Sequence, residues 1–219
     1  MGRWGGDESW RGTMSPLFTA EELGFAELEP PPVEPEGRGG VWRKRVGGRE
    51  IEFRTVRDLA PLAAVEALQR TVFAGIAEVD VAGPGMLVVV PETGGEVIGA
   101  YRTGPTGEEL VGFVIGWGGY VGGRPRVLSD MLGVRADLRG GGLGAELKKL
   151  QAALAVSRGF VDVVWTVDPL RAANARLNFE KLGAYADRYE IDRYGPELAT
   201  GLYGGLPTDR LHVVTSERV

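Results

Sequence analysis

Apolar residues recur along the chain with periods of two and of about 3.6, and the changes of period mark out the elements. Ile51-Glu-Phe-Arg-Thr-Val56 alternates and predicts a strand. Asp58 can cap a helix from Leu59 to about Ala74, with Leu62, Val65, Leu68 and Val72 on one side. Gly83 to Val90 has the valines of a strand, but Pro84 and Pro91 bracket it, and the pattern leaves its type open. Gly95–Tyr101 and Leu110–Trp117 predict two strands, antiparallel across the turn Gly104-Pro-Thr-Gly107. A second turn, 118–126, leads to a strand from Val127 to Val134. Leu143, Leu147, Leu150 and Leu154 then fall at helical spacing, and Gly159 stops that helix. Phe160–Val167 is almost unbroken apolar, as a central strand should be. Asp168-Pro169 starts another helix, which closes at Gly183. Residues 184–191 and 211–215 read as the last two strands. The order β-α-(α)-β-β-β-α-β-α-β-β predicts an α/β (α+β) fold: a mixed, mostly antiparallel central sheet with helices on both faces.

The first part of the chain differs. Residues 1–48 carry a glycine-rich start and the run Glu29-Pro-Pro-Pro-Val-Glu-Pro-Glu-Gly-Arg-Gly-Gly40. Such composition resists packing, so a largely flexible extension is expected before a domain over 49–219. A docking arm is the alternative. Phe18–Leu28 could form a short helix, with Thr19 as cap and Glu22 at the capping-box spacing. The rest is ordinary for a globular protein, at 43% hydrophobic and 25% charged residues. A net charge of −5 argues against nucleic acid as a partner. With no cysteine and His212 as the single histidine, cysteine chemistry, a Ser-His-Asp triad and a multi-histidine metal site drop out, and no metal is expected. No apolar run approaches the roughly 18 residues of a membrane span. The start lacks a signal-peptide core, so a cytoplasmic location is expected. A homodimer is compatible with all of this.

The densest chemical signal is Arg139-Gly-Gly-Gly-Leu-Gly-Ala145, between the Val127 strand and the leucine helix. Glycines let main-chain N–H groups approach a ligand, and the start of a helix favours phosphate. A Walker A loop needs Gly-Lys-Ser/Thr, but Ala145-Glu146 follows Gly144. The dinucleotide pattern G-x-G-x-x-G/A is formally met by Gly140, Gly142 and Ala145, and Asp168 could bind a ribose. That fold runs its strand directly into the first glycine, whereas Arg135 to Arg139 intervene here.

Arg139-x-x-Gly142-x-Gly144, after a strand ending in Val134 and a short loop, resembles the acetyl-CoA signature of the GNAT acyltransferase superfamily. The order of elements from Ile51 to Val219 resembles that fold too. The resemblance implies a GNAT fold with its fourth and fifth strands (the Val127 and Phe160 strands) splayed apart. It implies acetyl-CoA or another acyl-CoA as co-substrate. Amides of Arg139, Gly140, Gly141, Gly142, Leu143, Gly144 and Ala145 would hold the pyrophosphate. Leu132 and Val134, with Met131 and Gly133 beside them, would line the pantetheine arm like an added strand. Many members also carry a pattern like Asn…Leu-Tyr-x-Lys-Leu-Gly-Phe. This chain has Ala172 at the asparagine place, with Asn174 two places on, then Asn178-Phe179-Glu-Lys-Leu-Gly183. Phe179 stands where the usual tyrosine protonates the departing thiolate. A thiol of pKa about 8.5 leaves acceptably without an acid, and Tyr185, Tyr194 or Tyr203 could serve; Tyr194 is taken as the candidate. The segments Asp130–Val134, Trp165–Ala175 and Gly205–Arg210 look like a GNAT branch often encoded near N-acylamino-acid racemases. That likeness implies acylation of a small-molecule amine such as an amino acid, with acetyl or succinyl.

Direct transfer needs a base for the amine proton. Asp130 is the candidate, expected on one strand face with Leu128 and Leu132, while Ser129 points away; a capping or ion-paired aspartate is the alternative. Arg171, Asn174 and Asn178 follow i, i+3, i+7 and predict a polar strip facing pantetheine or substrate, or simply solvent. Arg171 and Arg210 are candidates for a substrate carboxylate, since an arginine fork matches one; Asp209-Arg210 could instead be a structural pair. His212 reads as structural. A non-catalytic acyl-CoA-binding protein of this fold is the second functional reading, and a nicotinamide dinucleotide-binding protein the third.

Overall fold

The computed structural model describes residues 18–28, 40–105, 107–195 and 205–215. Nine strands among them form one sheet: β1 (Ala26–Glu27), β2 (Val41–Val46), β3 (Arg49–Thr55), β4 (Glu96–Gly104), β5 (Gly107–Val121), β6 (Arg124–Val134), β7 (Asp162–Val167), β8 (Tyr185–Glu190) and β9 (Arg210–Val214). The spatial order is β1-β2-β3-β4-β5-β6-β7-β9-β8. Neighbours are antiparallel except β6 and β7, which run parallel. A parallel pair needs a crossover, and α3 (Leu143–Ser157) supplies it. The other helices are α1 (Leu59–Val72), α2 (Pro84–Leu87) and α4 (Ala172–Ala175), and α4 continues as a π-helix over Arg176–Lys181.

The helices divide between the two faces of the sheet. Leu143, Leu147 and Leu150 of α3 pack on Ile51, Phe53, Ile98 and Val114. Leu62, Val65 and Leu68 of α1, with Leu87 of α2, cover Val97, Phe113 and Ile115 on the opposite face. A third cluster joins α3 to β7 and the π-helical segment through Ala145, Ala155, Trp165, Leu177 and Leu182. The far end of α3 is latched: Arg158 donates to the Gly94 and Gly95 carbonyls, each at 3.1 Å, and pairs with buried Glu96. Burial pushes the Glu96 carboxyl up, against the pull of Arg158 and Arg57.

Several expectations are revised. Residues 83–90 carry α2 and lead into a short 3₁₀ turn at Val90–Thr93, because Pro84 and Pro91 suit the first turn of a helix and not a ladder. Phe18–Leu28 is a single turn followed by β1 rather than a helix. Its capping box does form, with Thr19 N–H donating to Glu22 Oε2 at 2.8 Å and Glu22 N–H to Thr19 Oγ1 at 3.2 Å. The proline-glycine run lies almost wholly outside the described residues. Within the expected flexible extension, however, β1 and β2 belong to the sheet. Phe25 and Trp42 are only 2% and 5% exposed, and Phe25 meets Phe53 edge-on at 5.2 Å between centroids. Apolar burial at two aromatic positions outweighed the local composition.

Candidate functional site

The two parallel strands touch only at their start. β6 pairs with β7 at Arg126↔Asp162, Val127↔Val163 and Leu128↔Val164, and no further. From there Ser129–Val134 and Trp165–Val167 diverge, leaving a V whose left wall is an unpaired strand edge. The N–H of Arg135 donates to Val111 O on β5 at 3.0 Å. By the alternation of a strand, the main-chain groups of Leu132 and Val134 therefore point to the open side. Their side chains pack toward α3, while Met131 packs toward α1.

The mouth of the V is closed by the glycine turn. Gly140 and Gly142 have φ of 79° and 93°, in the left-handed region where a side chain is strained. Gly142 precedes α3 with no side-chain cap. Ala145 and Glu146 N–H return to Gly142 O at 3.0 and 3.1 Å, but the amides of 140–144 find no acceptor among the described residues. Donors at the start of a 15-residue helix favour a negative group, by geometry and by the helix dipole. Arg139 does not offer its guanidinium to that site. Its Nε donates to Val134 O at 3.0 Å and its Nη2 to Val72 O at 3.2 Å, tying the turn to β6 and α1. Behind the turn stands the β2–β3 hairpin. Gly47, at φ 56°, lies so close that a Cβ there would sit 3.2 Å from Gly141 O. Gly144 is different: an added Cβ would make ordinary contacts with Leu132, Val134 and Leu177, the nearest at 3.5 Å.

At the apex of the V the ladder between β5 and β6 slips. Ile115 faces Met131, but the next residue, Gly116, faces Ser129. Asp130 is thus the extra residue of a β-bulge. The expected shared face of Leu128, Asp130 and Leu132 is therefore corrected. Leu128 lies across from Trp117 on the α1 side, and Leu132 points to α3. Asp130 keeps an exposed surface, yet surrounding protein desolvates its carboxyl and raises it above the usual range. A hydrogen bond with the Trp117 side chain and the charge of Lys148 oppose that rise. Ser129 does point away, to α3, where its Oγ accepts from Lys148 Nζ at 2.6 Å. Lys148 is 6% exposed, and its Nζ also lies 4.0 Å from the centroid of Trp165 on β7. Burial pushes its ammonium down to about 7. Sequence reasoning missed Lys148, Trp117 and Trp165. The signal for Lys148 was its place in the series Lys148, Gln151, Ala155, a second buried face of α3 beside the leucine face.

The polar strip expected on α4 does not form, because the π-helical turn shifts the phase after Ala175. Arg171 precedes the helix with an exposed side chain and pairs with Asp168 at 3.2 Å. Asn174 is half-buried, and its carbonyl accepts from Asn178 Nδ2 at 2.7 Å. Asn178 is buried, and its Oδ1 accepts from the Trp165 indole at 2.8 Å, so its side chain is committed inside the fold. Phe179 packs in the same cluster as Trp165.

Tyr194 stands over the far end of β7, its hydroxyl 2.9 Å from Thr166 Oγ1. The loop that holds it is built on Asp192, whose φ of 46° is left-handed. The Asp192 carboxylate accepts from Thr208 Oγ1 at 2.8 Å, and Thr208 Oγ1 accepts from Tyr194 N–H at 2.9 Å. Arg210 is 3% exposed, with its guanidinium 5.1 Å from the Tyr194 ring centroid and Nη1 donating to Asp209 O at 2.6 Å. It is thus beneath Tyr194 and not at the surface. Tyr185 is exposed on β8, and Tyr203 lies outside the described residues. His212 pairs with Asp187 on β8 at 2.6 Å, as a structural residue would. No group of metal-ligating side chains occurs among the described residues.

No protein-family model and no curated protein sequence matches the chain. Its three-dimensional arrangement does match solved structures. YncA from Salmonella typhimurium, solved with acetyl-CoA, has a TM-score of 0.58 at 19% identity, over 77% of this chain and 95% of that one. Naa50 of Arabidopsis thaliana, in complex with a bisubstrate analogue of CoA, has 0.56 at 18%, over 76% and 98%. The ribosomal-protein-S18-alanine N-acetyltransferase of Escherichia coli has 0.56 at 16%, over 75% and 92%. With a mixed sheet parted between β6 and β7 and a glycine turn at the mouth of the gap, the chain has the fold of the GNAT acetyltransferases.

Proposed function

We propose that the protein is an acyl-CoA-dependent N-acyltransferase, moving an acetyl or other acyl group to a small-molecule amine such as an amino acid. One observation carries this reading: the parted strands β6 and β7 end at a turn whose amides lack protein acceptors. The amides of 140–144 would receive the pyrophosphate of CoA. The open edge from Leu132 to the Val134 N–H would bond the pantetheine arm as a strand bonds its neighbour, while Arg139 holds the Val134 carbonyl. The thioester then lies near Asp130. The amine nitrogen attacks the thioester carbonyl, the carbon–sulfur bond breaks, and CoA leaves as thiolate. Asp130, with a carboxyl raised by burial, takes the amine proton. Tyr194, whose hydroxyl meets Thr166 of β7, donates a proton to the thiolate. Arg171, exposed at the end of β7, is better placed than buried Arg210 to meet a substrate carboxylate.

Calorimetry with CoA and acetyl-CoA, joined to a thiol-release assay over amino acids, polyamines and short peptides, tests the reading. Binding of CoA together with release driven by one amine class is the expected result. Binding without release for any amine would favour the non-catalytic acyl-CoA-binding reading. NAD binding without CoA binding would leave the dinucleotide reading.

A further inference from the structure

Lys148 holds the apex of the V from below. It projects from α3 to Ser129, the residue just before the bulge, and lies against Trp165, the first β7 residue beyond the last β6–β7 pair. Ser129 Oγ is its single hydrogen-bond acceptor among the described residues, although an ammonium has three donors. A buried cation held by one neutral hydroxyl and an aromatic face is poorly compensated, and it is not there to stabilise the fold. Its Nζ is 2.6 Å from the Ser129 hydroxyl, and Ser129 adjoins Asp130 in the chain, so the ammonium lies within several ångströms of the bulge.

The charges around this pair are few. Among the described residues, the Asp130 carboxylate opposes the loss of the Lys148 proton, and the Lys148 charge opposes the rise of Asp130. Facing them are Trp117 from β5, Ser129 from β6, Trp165 from β7 and the Gln151 amide from α3, none of them ionisable in the physiological range. Glu146 and Lys149 on α3 pair with each other, and Glu146 also with Lys44. Among the described residues the apex is thus a cation–carboxylate couple in which the two groups do not bond directly.

We propose that Lys148 is a positioning residue for Asp130: bonded to Ser129 and stacked on Trp165, its ammonium fixes the bulge and keeps the Asp130 carboxyl ionised. This rests on Asp130 as the base of the proposed reaction, but its first test does not. Asp130 is titrated by carbon NMR of its carboxyl in the ligand-free protein, as wild type, Lys148→Met and Ser129→Ala. Lys148→Met should raise the Asp130 midpoint by about one pH unit, as loss of a nearby opposite charge does. Ser129→Ala retains the charge and should move it less. Lys148→Arg keeps a cation and should hold the midpoint near that of the wild type, which separates lost charge from lost packing. A midpoint unmoved in a folded Lys148→Met protein overturns the proposal.

The acid limb of kcat/KM against pH is then measured for the same variants. It should move upward with the NMR midpoint in Lys148→Met. If the midpoint moves while the limb stays, the electrostatic coupling stands, but Asp130 is not the base and Lys148 does not position one. Calorimetric CoA binding in each variant distinguishes both results from failure of the acyl-CoA reading itself.

Discussion

At the scale of single residues, function and stability pull apart most clearly at Asp130 and Lys148. Asp130→Asn removes a proton acceptor while keeping shape, so turnover should fall by roughly 10²–10⁴ with CoA affinity unchanged; steady-state kinetics beside calorimetry checks this. Lys148 has a stability signature of its own. Its folded-state pKa is depressed to about 7 from an unfolded value near 10.4. Below pH 7 both states hold the proton, and the full cost of burying the charge is present. Between about 7 and 10 the folded state has released it and the unfolded state has not, so the cost fades as pH rises. Lys148→Met should therefore stabilise the protein most at pH 6, by on the order of a few kcal/mol, and least near pH 10. Denaturant melts at the two pH values read the difference, and an equal gain at both would exclude a buried charge. The sequence pointed to Asp130 through a strand face shared with Leu128 and Leu132, a face that the bulge at Asp130 breaks. Its only mark for Lys148 was the spacing with Gln151 and Ala155, because a lysine in an amphipathic helix looks like solvent-facing charge until the packing is known.

At the scale of elements, the glycine turn was legible and its support was not. Spacing within Arg139–Ala145 announced a phosphate-type turn, but nothing local said that a hairpin 94 residues earlier, at Gly47, would press on Gly141. Gly47 and Gly48 offer a controlled comparison. Both have positive φ, 56° and 79°, so alanine strains the backbone at either. Only at Gly47 would the new methyl meet Gly141; at Gly48 nothing lies within 4 Å. Gly47→Ala should weaken CoA binding several-fold, and Gly48→Ala should leave it unchanged at a similar loss of about 1 kcal/mol in stability. Isothermal titration beside thermal melts decides it. The helix after β7, α4, shows the opposite case. Its end was readable from Gly183, but its start was not: Asp168-Pro169 opens a turn, and the helix begins at Ala172 after Arg171. The π-turn was not readable either, and it moved Asn178 from a presumed ligand-facing strip into the interior. Periodicity assumes 3.6 residues per turn, and a π-segment breaks that assumption without a compositional mark.

At the scale of the whole molecule, the strand order followed from hairpin lengths and from one crossover, so the middle of the sheet could be drawn from the sequence. The edge could not. Residues 18–28 and 40–48 sit in proline- and glycine-rich surroundings, yet they bury Phe25 and Trp42. Phe25→Ala should cost about 3 kcal/mol, the loss expected of a core aromatic, where an ornamental arm would lose nothing; urea unfolding measures it. The bulge has a wider consequence. Remove residue 130 on paper, and Val127, Ser129, Leu132 and Val134 alternate perfectly with Leu128, Met131 and Gly133. The sheet has no use for Asp130; the chain carries one residue more than its architecture asks for. A single-codon deletion there should leave a folded, ligand-competent protein with a seamless ladder and no turnover. Insertions and deletions, rather than substitutions, are then the natural way to separate this scaffold from its chemistry.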